Sequence, residues 1–158
     1  MSRPARSIVA FCCRECAYAA ADTAANARTP LPPTIRLVLV PCTGRVSPLH
    51  MLTALAEGAD GVMVAGCLLG QCHYREGNFH AVDRVTFAQR LLAAVGVEPE
   101  RIRMFTMSAG EPGKFVAAAH AMDRAIAALP PLWPAEQDGH VTPAACLAAV
   151  GTDEGSLQ

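Results

Sequence analysis

The chain has 158 residues, 52% hydrophobic and 17% charged, with a net charge of −1 and seven cysteines. That length fits one compact domain with a modest core, and the apolar excess points to a subunit of something larger. The arginines and the single lysine are scattered and no basic stripe with interleaved aromatics occurs, which argues against a nucleic-acid partner. The uncharged stretch Gly61 to Tyr74 is too short for a membrane span, which needs roughly 20 apolar residues. Met1 to Val9 carries two arginines, but the apolar run that follows meets Arg14 and Glu15 at once. It lacks the apolar region and small-residue cleavage site of a signal peptide, so the expected location is the cytoplasm.

In chain order, four short apolar runs read as strands: Ser7–Phe11, Ile35–Val40, Gly61–Ala65 and Arg101–Met107. Ala-rich or helically spaced segments separate and follow them, over Ala17–Ala27, Pro48–Glu57, Ala81–Val95 and Pro112–Leu129. Pro48 suits a first helical position, Gly58 and Gly96 suit helix ends, and Ser108 with Glu111 reads as a capping-box pair before Pro112. The alternation predicts an α/β fold: a single domain with a four-stranded parallel sheet, order 2-1-3-4, and helices on both faces. Residues 1–129 form the predicted domain. Residues 130–158 read as a tail opened by "PPLWP", with a short helix around Ala144–Val150 and Cys146 alone within it.

The cysteines fall at strand ends. Cys12, Cys13 and Cys16 follow the first strand, Cys42 the second, and Cys67 and Cys72 the third. In an open parallel sheet, functional groups gather beyond the carboxyl ends of the strands, and strands 2, 1 and 3 are neighbours in the predicted order. Six thiols then converge on one edge. In a reducing compartment, clustered thiols indicate metal or redox work rather than disulfides. Three chemistries compete. Cys13 and Cys16 form a C-x-x-C at a strand-to-helix turn, where a thioredoxin-like dithiol would sit, but that leaves Cys42, Cys67 and Cys72 idle. A structural zinc site usually draws on two tight cysteine pairs, whereas these thiols come from three strand ends. An iron–sulfur cluster held by thiolates fits scattered loop cysteines best, with Gly44, Gly66 and Gly70 letting backbone N–H groups approach the sulfurs.

The stretches "FCCREC", "CTGRVSP", "EGADGVMVAGCLLGQCHYREGN" and "SAGEPGKF" resemble the delta subunit of methyl-viologen-reducing hydrogenase, over about Ser7 to Leu129. That family is a small iron–sulfur subunit occurring beside, or fused to, heterodisulfide-reductase-type flavoproteins. The resemblance implies one 2Fe–2S cluster. It also implies electron relay between a hydrogenase or formate dehydrogenase and a flavin and iron–sulfur subunit that bifurcates electrons, with no reaction catalysed by this chain alone. Matched residue by residue, Cys13, Cys16, Cys42, Cys67 and Cys72 take the family's cysteine positions, five candidates for four ligand places. Arg14-Glu15 stand where the family usually has an aromatic residue, and "AGEPGKF" carries a proline where a simpler turn is common.

Other features carry less. "GEPGKF" is not a phosphate loop, because Ser108 stands at the required first glycine and Phe115 at the magnesium-binding Ser/Thr. No G-x-G-x-x-G occurs, so the flavin should belong to a partner. His73 beside Cys72 is expected to hydrogen-bond a sulfur or lie exposed, since Rieske-type ligation needs two histidines. Arg45 and Arg75 flank candidate ligands and would ease electron uptake by an anionic cluster. Met51, Met63, Met104 and Met107 read as core.

Overall fold

The structure, a computed structural model, describes residues 6–133. Strand β1 (Ile8–Cys13) leads into a π-helical turn (Arg14–Tyr18) and helix α1 (Ala19–Asn26). Then come β2 (Ile35–Val40), α2 (Pro48–Ala56), β3 (Gly61–Gly66), α3 (Gly77–Ala94), β4 (Ile102–Thr106) and α4 (Pro112–Ala128). All pairings are parallel and the strand order is β2-β1-β3-β4, as the alternating pattern predicts.

Period-2 alternation in β1 divides the interior. Ile8, Ala10 and Cys12 join a core under α1 and α4 with Met63, Phe115, Met122 and Ile126. Val9 and Phe11 face the opposite side, against a core of α2 and α3 residues that includes Met51, Leu55, Val85 and Leu92. Two helices therefore cover each face. β3 is buried at all six positions, as an apolar strand sandwiched between layers must be. The edge strand β2 is not: Leu37, Val38 and Leu39 are exposed. The methionines fall as expected, with Met51, Met63 and Met107 fully buried and Met104 packed against the second core.

Several boundaries differ from the pattern, and two bear on the site. β1 continues through Cys13, so Cys12 lies within the strand and points into the α1/α4 core instead of joining a loop. α3 begins at Gly77, a full turn before the predicted start at Ala81. Gly77-Asn78 carries no apolar period, and its helical state comes from packing. The Ser108–Glu111 pair forms, but not as an N-cap. The Glu111 carboxylate accepts the N–H and hydroxyl of Ser108, while Glu111 itself occupies the cap position of α4. A reciprocal capping box stands instead at α2, where Ser47 Oγ accepts the His50 N–H and His50 Nδ1 accepts the Ser47 N–H.

The N-terminal ends of the strands are tied by Arg101, 1% exposed, which donates to Glu98, Asp60 O and Pro130 O. This structural anchor lies at the other end of the sheet from the cysteines, leaving the carboxyl edge for chemistry. The predicted helix around Ala144–Val150 and Cys146 lie outside the described residues. Among the described residues, no helix is long and apolar enough to cross a membrane.

Candidate metal centre

The carboxyl ends of β1, β2 and β3 bring Cys13, Cys16, Cys42, Cys67 and Cys72 together, in two groups. Cys13, Cys16 and Cys67 form a buried triad whose sulfurs all lie within 4.8 Å of one another. The Cys13 and Cys67 sulfurs are 3.8 Å apart. Cys42 and Cys72 form a second pair, 3.7 Å between sulfurs. Cys42 stands close enough to Cys13 for the two charges to repel. Cys12 is excluded from both groups, fully buried with its thiol turned to Ala10 O.

Those distances provide a fit test for a metal. Two thiolates bound tetrahedrally to one ion at about 2.3 Å are separated by about 3.8 Å, the edge of the tetrahedron. Both pairs meet that length, and each joins ends of different elements, so the fold brings together two thiol pairs at the spacing a metal would need. The donor set is wholly thiolate, which suits iron–sulfur chemistry.

The sulfurs also meet backbone donors. Cys13 occupies the cap position of the π-helical turn, where N–H groups are unsatisfied and favour an anion. Its pKa is lowered to about 6, first by a hydrogen bond from the Cys16 thiol and then by the Glu15 and Cys16 N–H groups and by Cys67, against the cost of burial. Cys42 Sγ accepts the Gly44 N–H at 3.3 Å, although burial outweighs this and pushes its pKa up to about 11. Burial also raises Cys67, opposed by hydrogen bonds from Cys16 and the His73 N–H. For Cys72, burial acts upward but the N–H groups of Tyr74, Asn78 and Gly77, together with Cys42, carry its pKa below the ordinary value. Cys16 behaves differently. Its hydrogen bond to Cys13 comes first, then burial and Cys67, and all hold its proton firmly.

One residue that sequence reasoning missed is central. A Cβ on Gly77 would lie 2.4 Å from Cys42 Sγ and 3.1 Å from Cys72 Sγ. A Cβ on Gly44 would lie 2.7 Å from Gly77 Cα. The first turn of α3 thus presses bare backbone against the Cys42–Cys72 pair, and only glycine fits. The signal available in the sequence was a glycine shortly after Cys72, without anything to say which way its Cα faces. Of the other glycines expected to serve the sulfurs, Gly66 is instead packed against Thr43, and Gly70 sits at a left-handed turn with a φ of +79°. Asn78 was also missed. Fully buried, it donates to Cys67 O and Leu68 O at 3.2 and 2.7 Å, pinning the loop between Cys67 and Cys72. The His73 ring packs edge-on against Tyr74; its backbone N–H, not its imidazole, faces a sulfur.

Residues 8–130 match the family model of the methyl-viologen-reducing hydrogenase delta subunit. The chain belongs to this family. It is 49% identical over 125 residues to the D-type iron–sulfur subunit of the vhu F420-non-reducing hydrogenase of Methanopyrus kandleri, covering 79% of this chain and 95% of that protein. Against the corresponding iron–sulfur subunit of the F420-non-reducing hydrogenase of Archaeoglobus profundus, identity is 46% over 125 residues, with coverage of 79% and 91%. A third relative is of another kind. The A-type subunit of the ferredoxin/F(420)H(2)-dependent CoB-CoM heterodisulfide reductase of Methanosarcina acetivorans is 43% identical over 108 residues, which are 68% of this chain but 14% of that protein. The same delta-type unit therefore occurs both as a small separate chain and as a part of a much larger reductase protein.

Proposed function

We propose that this delta-family chain is a one-electron relay inside an oxidoreductase complex, holding one 2Fe–2S cluster between a hydrogenase-type donor and a heterodisulfide-reductase-like flavoprotein. A formate dehydrogenase could stand in the donor's place, and the flavoprotein is the partner in which electrons would bifurcate. Cys13 and Cys67 would hold one iron and Cys42 and Cys72 the other. The observation that carries this is the pair of 3.8 and 3.7 Å sulfur separations, each the edge of a thiolate tetrahedron. Cys16, the fifth thiol, stands in the same triad and hydrogen-bonds the Cys13 sulfur.

When bound, such a cluster accepts and releases one electron. The residues of the chain set the conditions for that exchange. N–H groups directed at Cys13, Cys42, Cys67 and Cys72 stabilise negative charge at the sulfurs and so favour the reduced form. Gly44 and Gly77 keep the backbone close on one side while Asn78 fixes the loop. Cys13, Cys16 and Cys67 are almost wholly buried, with a hollow of about 290 Å³ reaching Cys16 and Cys67, and Cys72 is partly exposed.

The presence of the unit within a heterodisulfide reductase protein supports a flavoprotein partner, since a fusion keeps two redox modules at high effective concentration. Iron, zinc and acid-labile sulfide are to be measured on protein purified without oxygen. About two irons and two sulfides per chain are expected. Stoichiometric zinc without sulfide would make the site a structural zinc knot and overturn the relay.

A further inference from the structure

Beside the Cys42–Cys72 pair lies a cavity of about 590 Å³ lined by Cys42, Gly44, Arg45, Tyr74, Arg75, Gly77 and His80, among others. A second hollow of equal size adjoins it across Gly44 and Arg45 and adds His50 and Arg84. Together they form one groove at the open side of the thiol site. Its charge is one-sided: three arginines against Glu76, in a chain whose net charge is −1. Among the described residues, Arg45 and Arg75 make no ion pair. Arg84 is spent on Gly44 O, bracing the groove wall.

Arg75 carries a second, independent indication. It sits at φ +67°, a left-handed conformation that costs a side-chain-bearing residue about 1–2 kcal/mol and that glycine adopts freely. The turn at Cys72–Arg75 would close more easily with glycine there. An exposed arginine held at that cost, bridged to the partly exposed Cys72 and next to exposed Tyr74, points to a use for the guanidinium outside the fold.

We infer that the groove over Cys42, beside its partner thiol Cys72, is the docking port for a redox partner protein that presents carboxylates around its own centre, with Arg45 and Arg75 as its charge anchors. This rests on the relay reading, and it adds the face used and the chemistry of the surface that meets it. The exposed aromatic ring of Tyr74 supplies apolar contact beside the charges, a combination found at protein interfaces rather than at small-anion sites. Complementary charge at a rim acts mainly on encounter rate and salt dependence, so the port would orient the partner before close contact at the thin cover over Cys72.

The test uses the full chain and a heterodisulfide-reductase-like flavoprotein from the same organism, with affinity measured by sedimentation at low and high salt. The variants are R45E/R75E, the neutral R45Q/R75Q, and a control, R90E/R124E, with the same net charge change on α3 and α4. The port predicts a loss of affinity on the order of tenfold or more at low salt for R45E/R75E, a smaller loss for R45Q/R75Q, and none for the control. It also predicts that the wild-type salt dependence flattens in the first two. Equal losses in R45E/R75E and R90E/R124E would reduce the effect to net charge and overturn it, as would no binding by the wild type. Unchanged affinity in R45E/R75E, or a groove that binds only inorganic phosphate, would overturn it as well. Iron content separates the two claims. A wild type that binds in this pattern without iron keeps the port and removes the relay; an iron-loaded R45E/R75E that binds normally does the reverse.

Discussion

The two halves of the thiol site are built on different principles. The Cys13–Cys16–Cys67 half is made by side chains: three buried thiols under the α1/α4 core, one of them holding its proton against its neighbours. The Cys42–Cys72 half is made by backbone: two thiols against the bare Cα of Gly77, with N–H groups around them and a groove outside. A relay needs both kinds of wall. The first buries its sulfurs most deeply, and the second gives tight contact and a short path to a partner.

If each half supplies one pair of ligands, removing one ligand from either should abolish binding. Cys42→Ser and Cys67→Ser are each expected to lose the visible charge-transfer absorption and most of the iron. Cys12→Ala, which changes only the core, should keep both and unfold at slightly lower urea, a cost of about 1 kcal/mol for a small cavity. Loss of the cluster in Cys12→Ala with retention in Cys42→Ser would invert the assignment.

Next in size is Gly77→Ala. The backbone half has no room for the added methyl, and α3 or the Cys42–Cys72 pair must move. Iron content should fall well below that of the wild type while circular dichroism stays unchanged. Full iron loading would mean that the glycine contact is incidental.

Cys16→Ala probes the other half. It should bind iron normally but have a more negative reduction potential, because a hydrogen bond to the Cys13 sulfur that favours the reduced state is gone. Loss of iron in this variant would make Cys16 a ligand and leave another thiol as the spare.

The smallest effect is on the metal-free, fully reduced chain. Cys13 ionises near pH 6 in the folded state against an ordinary 9.0, so between those values the unfolded chain binds more protons and stability rises with pH. The contribution is complete above 9 and is lost as pH falls through 6. Above 9 the sign reverses, since Cys42 and Cys12 keep their protons to about 11 and 12 when folded. Urea midpoints should therefore climb from about pH 6 to about pH 8 in the wild type and climb less in Cys13→Ala.

The strand order and the gathering of five thiols at one edge were legible because they follow from alternation and crossover handedness, which operate over whole segments. What escaped depends on single-residue placement. Period 2 runs through Ile8, Ala10 and Cys12, so Cys12 belongs to the core series, but that is decidable only once the strand is known to reach Cys13. The α3 start at Gly77 has no apolar period to announce it, and so neither the N–H groups aimed at Cys72 nor the glycine cradle could be read. Asn78 likewise looks like an ordinary loop polar residue until its partners, Cys67 O and Leu68 O, are known.

The central claim, two ligand pairs bridged in one two-iron centre, is tested most directly by electron paramagnetic resonance of the anaerobically prepared chain during a one-electron titration. A 2Fe–2S centre should be silent as isolated and gain about one unpaired spin per chain on reduction, with all iron accounted for by that signal. A chain that stays silent on reduction with zinc in its thiols, or whose spin corresponds to a four-iron cluster, would contradict it.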